Sequence, residues 1–309
     1  MRARSVVFAY HTFGARALAG LLARGESVVA VVTHADEPAE GDWFESVADI
    51  ARAHGIAVFT PKSPNEPDFV ARLASFDADV FLSVWYRRLL GTTVLALPRI
   101  AALNLHGSLL PLYRGRAPVN WVLVNGETRT GVTLHHMTVE ADAGDIVAQE
   151  PIDIHPDDTA ASLYGRVVKA GVDLMLATYP SVVDGTAPRV PQDHARATVV
   201  GRRRAEDGRV SWTWPATRIA NMVRAVTHPY PGAFVGDGAA RLVLWEKAPL
   251  PATQAFGAGT IVNVKAGEGV TVATGEGHLR LVRVQAAGRP EEPADTWARA
   301  ASLGRGATL

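Results

Sequence analysis

The sequence predicts an α/β protein with an open, mostly parallel, Rossmann-like sheet, followed by a smaller antiparallel, OB-like β-barrel. Over the first 150 residues, short apolar runs alternate with amphipathic helical segments, which is the pattern of βαβ units and a parallel sheet. After residue 208 the apolar runs are short, alternate with polar residues and are separated by glycine-bearing turns, as in small antiparallel domains. The 309 residues are enough for both parts.

The elements of the first part follow one another in regular order. Strands are predicted at residues 6–10, 28–32, 56–59, 80–85, 103–105, 131–137 and 146–152, and helices at 15–23, 44–53 and 69–73. A longer helix, capped by Thr159, is predicted to run to about residue 183.

The second part begins after a change of composition. Residues 188–208 are rich in proline, arginine and small side chains and have no periodicity, so we predict a linker there. A helix at 215–226 and strands at 233–235, 242–245, 259–264, 270–273 and 279–284 are predicted beyond it. We therefore predict one domain over 1–187, the linker over 188–208 and a β-barrel domain over 209–309.

Composition restricts the possible functions. Lys plus Arg (31) equals Asp plus Glu (31), so no basic excess favours a nucleic-acid partner. The chain has no cysteine, which excludes disulfides, thiolate nucleophiles and cysteine-based metal sites. The first apolar run is too short for a signal peptide, and no run approaches the length that spans a membrane. The histidines show no metal-binding spacing, and adjacent His135 and His136 face opposite ways on a predicted strand. We expect a cytoplasmic, metal-free protein.

Two polar segments stand out against this background. Asn104 and His106 end a predicted strand and share one of its faces, because residues two apart point the same way. Gly107 then allows a sharp turn into Ser-Leu-Leu-Pro and Tyr-Arg-Gly at residues 108–115. A second polar loop follows the strand at 131–137 and contains Asp142. Ligands of such sheets bind beyond the carboxyl ends of the strands, so these polar side chains are candidates for a functional site.

These motifs resemble the folate-dependent formyltransferase family. Its signature is Asn-x-His, Ser-Leu-Leu-Pro and Tyr-Arg-Gly, followed by an aspartate in a glycine-bearing loop, and all of these occur here in that order. The resemblance covers most of the chain and includes residues 6–11, 104–137 and 221–226. It is closest to the branch that formylates UDP-4-amino-4-deoxy-L-arabinose in lipid A modification and polymyxin resistance. That branch carries a second, decarboxylating domain, so this chain is expected to supply the formylation alone.

The resemblance implies that domain 1–187 is catalytic and that the co-substrate is 10-formyltetrahydrofolate. Asn104, His106 and Asp142 are then the catalytic residues. An amide donor can stabilise the oxyanion of the tetrahedral intermediate, an imidazole can move protons, and a nearby carboxylate favours the imidazolium. The residues expected at the cofactor are Arg88, Leu89, Leu90, Arg116, Thr138, Val139, Glu140 and Ala141.

The identity of the acceptor amine is less constrained. A nucleotide-linked amino sugar is favoured, with UDP-4-amino-4-deoxy-L-arabinose first and a dTDP-linked sugar open. Methionyl-tRNA is the main rival, but residues 34–42 are acidic where that enzyme has a basic loop. Glycinamide ribonucleotide is disfavoured because its enzymes lack the region after residue 208. A hydrolase that releases formate, or a non-catalytic folate-binding module, is the alternative from a different class.

Overall fold

The computed structural model describes residues 2–35, 44–251 and 256–309, which form two compact units. The first unit comprises Met1–Pro118, Arg129–Asp153 and Tyr164–Gly201. The second comprises Val119–Thr128, Ile154–Leu163 and Arg202–Leu309. The domain limits predicted at 187 and 209 remain a proposal.

The strands, in chain order, are β1 (Arg4–Ala9), β2 (Ser27–Val32), β3 (Val58–Phe59), β4 (Val80–Val84), β5 (Ala101–His106), β6 (Arg114–Gly115), β7 (Arg129–His136), β8 (Ile146–Asp153), β9 (Val199–Val200), β10 (Ala233–Val235), β11 (Leu242–Leu250), β12 (Ile261–Lys265), β13 (Gly269–Ala273), β14 (His278–Ala286) and β15 (Glu292–Pro293). The α-helices are α1 (His11–Ala23), α2 (Val47–Ala53), α3 (Pro67–Ser75), α4 (Thr92–Leu95), α5 (Pro118–Val124), α6 (Ala160–Val183), α7 (Ala216–Val226) and α8 (Ala294–Ala300).

Seven strands make the large sheet, in the order β3-β2-β1-β4-β5-β7-β8. The first five run parallel, and β7 and β8 run antiparallel to their neighbours. The central strands are apolar on both faces, and Val6, Phe8, Val80 and Phe81 are fully buried, as a sheet covered on both sides requires. The predicted fold class is confirmed for this part.

Helix ends follow local capping chemistry. The backbone N–H of Ser162 donates to Oγ1 of Thr159 over 3.2 Å, so Thr159 caps α6 as predicted. The predicted helix at 44–53 begins later, at Val47, because Oγ of Ser46 accepts from the N–H of Asp49 over 3.3 Å. Within the described residues, no helix combines the length and apolar character needed to cross a bilayer.

The C-terminal sheet is antiparallel, with the order β10-β11-β14-β13-β12 and with β15 paired to β14. All five strands predicted there are present, and β11 and β14 are longer than predicted. Their inward side chains form an apolar core in which Leu244, Val272 and Leu281 are fully buried. The antiparallel character predicted for this part is confirmed.

Residues 188–201 of the segment predicted as a linker have their own structure within the first unit. Val190 bridges Ile146, and β9 pairs in parallel with β6. Gln192, polar and only 5% exposed, lies buried in this segment. We call residues 188–201 the strap, because these contacts tie it to the loop after β5 and to the start of β8.

Candidate active site

Strand β5 presents its polar and apolar side chains to opposite faces. Leu103 and Leu105 are 1% exposed and pack into the core, whereas Asn104 and His106 share the other face. In the antiparallel pairing with β7, His135 lies directly opposite Asn104. The strand register therefore places an amide and two imidazoles side by side.

The loop after β7 brings Asp142 to this group. The amide nitrogen of Asn104 donates to Oδ1 of Asp142 over 3.2 Å, and Nδ1 of His106 lies 3.5 Å from the same oxygen. Asp142 has a left-handed backbone, with φ of 55°. Gly144 allows the loop to turn back, since a Cβ there would lie 1.9 Å from the carbonyl oxygen of His136. Of the three residues predicted to be catalytic, Asn104 and His106 thus both lie next to the carboxylate of Asp142.

The backbone of the Tyr-Arg-Gly motif, residues 113–115, contacts both His106 and Asp142. Nε2 of His106 donates to the carbonyl oxygen of Tyr113 over 2.9 Å, and the N–H of Gly115 donates to Oδ2 of Asp142 over 2.9 Å. Gly115 has φ of 101°, and a Cβ there would lie 2.3 Å from the carbonyl oxygen of Val200 in the strap. This position requires glycine on both counts.

The hydrogen bond to Tyr113 identifies the reactive nitrogen of His106. A carbonyl oxygen only accepts, so Nε2 carries a proton whether the ring is neutral or charged. The proton that His106 gains or loses must therefore sit on Nδ1, the nitrogen that faces Asp142.

Asp142 is ionised although it is largely buried. Burial alone would raise the pKa of its carboxyl group, but the neighbouring His106 and the backbone N–H of Gly115 hold that pKa well below its usual range. A permanent negative charge beside Nδ1 of His106 stabilises the imidazolium whenever that nitrogen takes up a proton.

Two buried polar residues at this site were missed by sequence reasoning. His135, dismissed above as a metal ligand, lies with Nε2 3.1 Å from the amide nitrogen of Asn104 and 3.4 Å from Oδ1 of Asp142. Its position opposite Asn104 would have followed from an antiparallel β5–β7 pair, which the sequence pattern did not specify.

The second missed residue is Gln192 in the strap. Its Oε1 accepts from Nε and Nη2 of Arg114 over 3.1 and 2.7 Å. Its Nε2 donates to the carbonyl oxygens of Asp142 and Gly144 over 2.9 and 2.7 Å. One buried amide thus joins the loop that carries Arg114 to the loop that carries Asp142. A glutamine in a segment without periodicity gave no signal of this role.

The residues expected at the cofactor lie on two loops. Nη2 of Arg116 donates to the carbonyl oxygen of Arg87 over 2.9 Å, which places it against the loop that continues through residues 88–90. In that loop Leu89 is 66% exposed, whereas the Leu90 side chain is in the core and the Arg88 guanidinium bonds the carbonyl oxygen of Pro61.

The other loop leads into Asp142. Oγ1 of Thr138 donates to the carbonyl oxygen of Glu140 over 2.8 Å, and Val139 is 61% exposed. Oε1 of Glu140 lies 3.7 Å from Nη1 of Arg114, and Ala141 is exposed. Leu89 and Val139 each expose an aliphatic side chain, which suits a flat, partly apolar ligand. The cofactor assignments remain predictions.

Two other expectations concern a metal site and the acidic stretch at residues 34–42. In the ranges described, no cluster of three or more His, Asp or Glu side chains is arranged to hold a metal ion. Most of the acidic stretch at 34–42, namely residues 36–42, lies outside the described residues.

Comparison with known protein families shows which family the chain belongs to. Residues 3–179 match the family model for formyl transferase, and residues 203–302 match the model for the formyl transferase C-terminal domain. The chain belongs to the formyl transferase family. The family predicted from Asn104, His106 and Asp142 is thereby confirmed.

Solved formyltransferase structures share the fold. An N-formyltransferase from Helicobacter canadensis, in complex with folinic acid and dTDP-3-aminofucose, is 17% identical with a TM-score of 0.68, over 91% of this chain and 99% of that one. A 4-N formyltransferase from Francisella tularensis is 18% identical with a TM-score of 0.63, over 76% and 93%. HypX from Aquifex aeolicus, bound to tetrahydrofolic acid, is 18% identical with a TM-score of 0.64, over 96% of this chain. The chain spans 47% of the length of HypX, about half.

Proposed function

We propose that this formyl transferase moves the formyl group of 10-formyltetrahydrofolate to the amine of a nucleotide-linked amino sugar. The amine nitrogen attacks the formyl carbon, the bond from that carbon to N10 of the folate breaks, and the proton lost by the amine ends on N10. The observation that carries the proposal is the contact of Asn104 and His106 with the ionised carboxylate of Asp142.

His106 is suited to move the proton. Its Nδ1 is the only ring position whose protonation can change while the bond to Tyr113 is kept. In the proposed reaction Nδ1 takes the proton of the attacking amine, and Asp142 stabilises the imidazolium until the proton passes to N10. General acid–base catalysis of this kind contributes about 10²–10⁴-fold to a rate.

Asn104 is suited to stabilise the oxyanion. Its amide nitrogen has two hydrogens, and its two polar neighbours, Oδ1 of Asp142 and Nε2 of His135, lie only 3.4 Å apart. One N–H directed between them leaves the other for the formyl oxygen. A preorganised donor of this kind contributes roughly 2.7–4 kcal/mol in acyl-transfer sites.

The preferred acceptor is UDP-4-amino-4-deoxy-L-arabinose. The motif match to the formyltransferase half of the bifunctional polymyxin-resistance enzyme supports this choice, as does the acidic composition of residues 34–42, which disfavours tRNA. The solved relative bound to dTDP-3-aminofucose supports the wider class of nucleotide-linked amino sugars and keeps dTDP sugars as the second choice.

A direct assay tests the proposal. The purified chain is incubated with 10-formyltetrahydrofolate and, separately, with UDP-4-amino-4-deoxy-L-arabinose, dTDP-linked 3- and 4-amino sugars, and methionyl-tRNA. We expect the formamide of the UDP sugar, identified by mass spectrometry, with stoichiometric tetrahydrofolate. His106→Asn serves as the control for transfer without the enzyme's proton relay.

The alternatives give different products. Formylation of a dTDP sugar alone would correct the nucleotide, and formylation of methionyl-tRNA alone would overturn the acceptor class. Formate released without any amine would identify a hydrolase. Folate binding without turnover of any substrate would identify a non-catalytic module.

A further inference from the structure

His135 is an almost fully buried polar side chain beside Asn104 and Asp142. It is 1% exposed, and it sits on β7 directly opposite Asn104. Both ring nitrogens have polar neighbours at hydrogen-bonding distance, so its protonation state is determined by what those neighbours can donate or accept.

The neighbour of Nδ1 is a pure acceptor. Nδ1 of His135 lies 2.8 Å from the backbone carbonyl oxygen of His136. The oxygen cannot donate, so Nδ1 carries a proton and donates it to that oxygen. A neutral ring then has a lone pair on Nε2.

The neighbours of Nε2 decide between the neutral and the charged ring. Nε2 lies 3.1 Å from the amide nitrogen of Asn104, which can donate to a lone pair. A proton on Nε2 would point toward this N–H, which cannot accept it. Its remaining acceptor would be Oδ1 of Asp142 at 3.4 Å, which is longer than the usual 2.7–2.9 Å of a charge-assisted bond.

Rotation of the Asn104 amide would not stabilise a charged His135 ring. If the amide turned its oxygen toward a protonated Nε2, that oxygen would lie where the nitrogen now donates to Oδ1 of Asp142 over 3.2 Å. A carbonyl oxygen facing an ionised carboxylate oxygen at that distance is repulsive. In the neutral ring, Nδ1 donates to the carbonyl oxygen of His136 and Nε2 accepts from the Asn104 amide, which also donates to Asp142.

We propose that His135, as a neutral imidazole protonated on Nδ1, is a positioning residue that keeps the nitrogen of the Asn104 amide turned toward Asp142 and its second N–H available to the formyl oxygen. The proposal rests on the proposed function. His135 itself touches no substrate; it acts through Asn104, together with Asp142.

Two substitutions separate this role from packing. In His135→Gln the side-chain oxygen can accept from Asn104 where Nε2 does now, whereas in His135→Met the volume is kept but the acceptor is lost. We expect His135→Gln to keep most of kcat and His135→Met to lose about 100-fold in kcat, the size of effect that a misdirected catalytic group produces. KM for both substrates and Tm should stay close to the parental values. Equal kcat in the two variants would overturn the proposal.

A second measurement does not depend on substrate or on the folding of a variant. In the full chain with ¹⁵N-labelled histidine, the nitrogen chemical shifts and couplings of His135 report which ring atoms carry hydrogen. We expect hydrogen on Nδ1 only, at the pH of the assay. Hydrogen on Nε2 would refute the assignment even if transfer is observed, whereas lack of transfer with hydrogen on Nδ1 would count against the proposed function alone.

Discussion

Charged side chains are treated differently in the loops after β5 and β7 and in the C-terminal sheet. In the loops, the Asp142 side chain is 14% exposed and that of Arg114 is 4% exposed, and they contact mainly side-chain amides, imidazoles and backbone groups. On the C-terminal sheet Arg283 and Glu291 form a 2.6 Å pair whose side chains are 37% and 25% exposed. The charged side chains are buried in the first region and partly exposed to solvent in the second.

The difference indicates where charge serves chemistry. Removing an ionised group from water is unfavourable unless hydrogen bonds replace those of water, so a buried carboxylate needs the surrounding donors that Asp142 has. An exposed pair needs none of this and contributes little to stability. Substitutions in the first region should therefore have large effects, and similar substitutions in the second should have small ones.

The largest effect is expected at the reaction centre. His106→Asn and Asp142→Asn should each lower kcat roughly 10³-fold, because each removes part of the proton relay. Tm should stay near the parental value, since both replacements are close in size and polar. The measurement is single-turnover formyl transfer with thermal denaturation beside it. The control is His136→Asn, next to the site on the opposite face of β7. Parental turnover in both site variants would show that transfer occurs elsewhere.

The next comparison is between Gln192, which bonds to the loops after β5 and β7, and Gln285 on the C-terminal sheet. Gln192→Leu removes the bonds of Gln192 to two carbonyl oxygens and to the buried Arg114 guanidinium, so it should lower the free energy of unfolding by about 3 kcal/mol. Gln285→Leu on β14 removes bonds to Trp245 and Arg289 that are partly open to water, and about 1 kcal/mol is expected. Chemical denaturation measures both. Equal losses would mean that burial of the amide is not what matters.

Two tyrosines in the first unit test the cost of a buried hydroxyl directly. The hydroxyl of Tyr86 is buried without a hydrogen-bond partner, and burial raises its pKa to about 12. Tyr86→Phe should therefore raise the free energy of unfolding by about 1 kcal/mol. The hydroxyl of Tyr179 lies 2.5 Å from Oγ of Ser5, and Tyr179→Phe should lower it by about the same amount. A loss of stability in Tyr86→Phe would reveal a partner for that hydroxyl.

The smallest effect is expected on the C-terminal sheet. The Glu268 carboxylate pairs with Lys265 at 2.5 Å and Arg280 at 3.3 Å, and all three side chains are about one-third exposed or more. Glu268→Gln should change neither Tm nor formyl transfer measurably, because solvent screens such pairs. A clear drop in Tm would show that this surface pair contributes more than its exposure suggests.

Much of the fold could be predicted because the large sheet is encoded in local patterns. Residues 6–10, 28–32 and 80–85 are apolar runs of strand length, and β1, β2 and β4 lie there. Asn104 and His106 could be placed on one face by their spacing alone, and the structure has them on one face of β5. Local pattern was sufficient to locate these strands and to assign side chains to their faces.

The missed residues depend on contacts between distant segments. Gln192 meets Arg114 across 78 positions of sequence, and no periodicity marks it. His135 meets Asn104 because β7 runs antiparallel to β5, and strand direction is not written in the apolar pattern of either strand. Polar side chains that act through a partner elsewhere in the chain give little local signal.

The left-handed backbone at Asp142 has a consequence for how this protein can be changed. Asp142 and Ala117, with φ of 55° each, both lie in loops of the first unit in a conformation that suits glycine better than either residue. Replacing Ala117 by glycine would relax the chain at little chemical loss, whereas the same exchange at 142 would relax it and remove the carboxylate. Selection for heat resistance would therefore not conflict with selection for turnover at Ala117. At Asp142 the two would favour different residues.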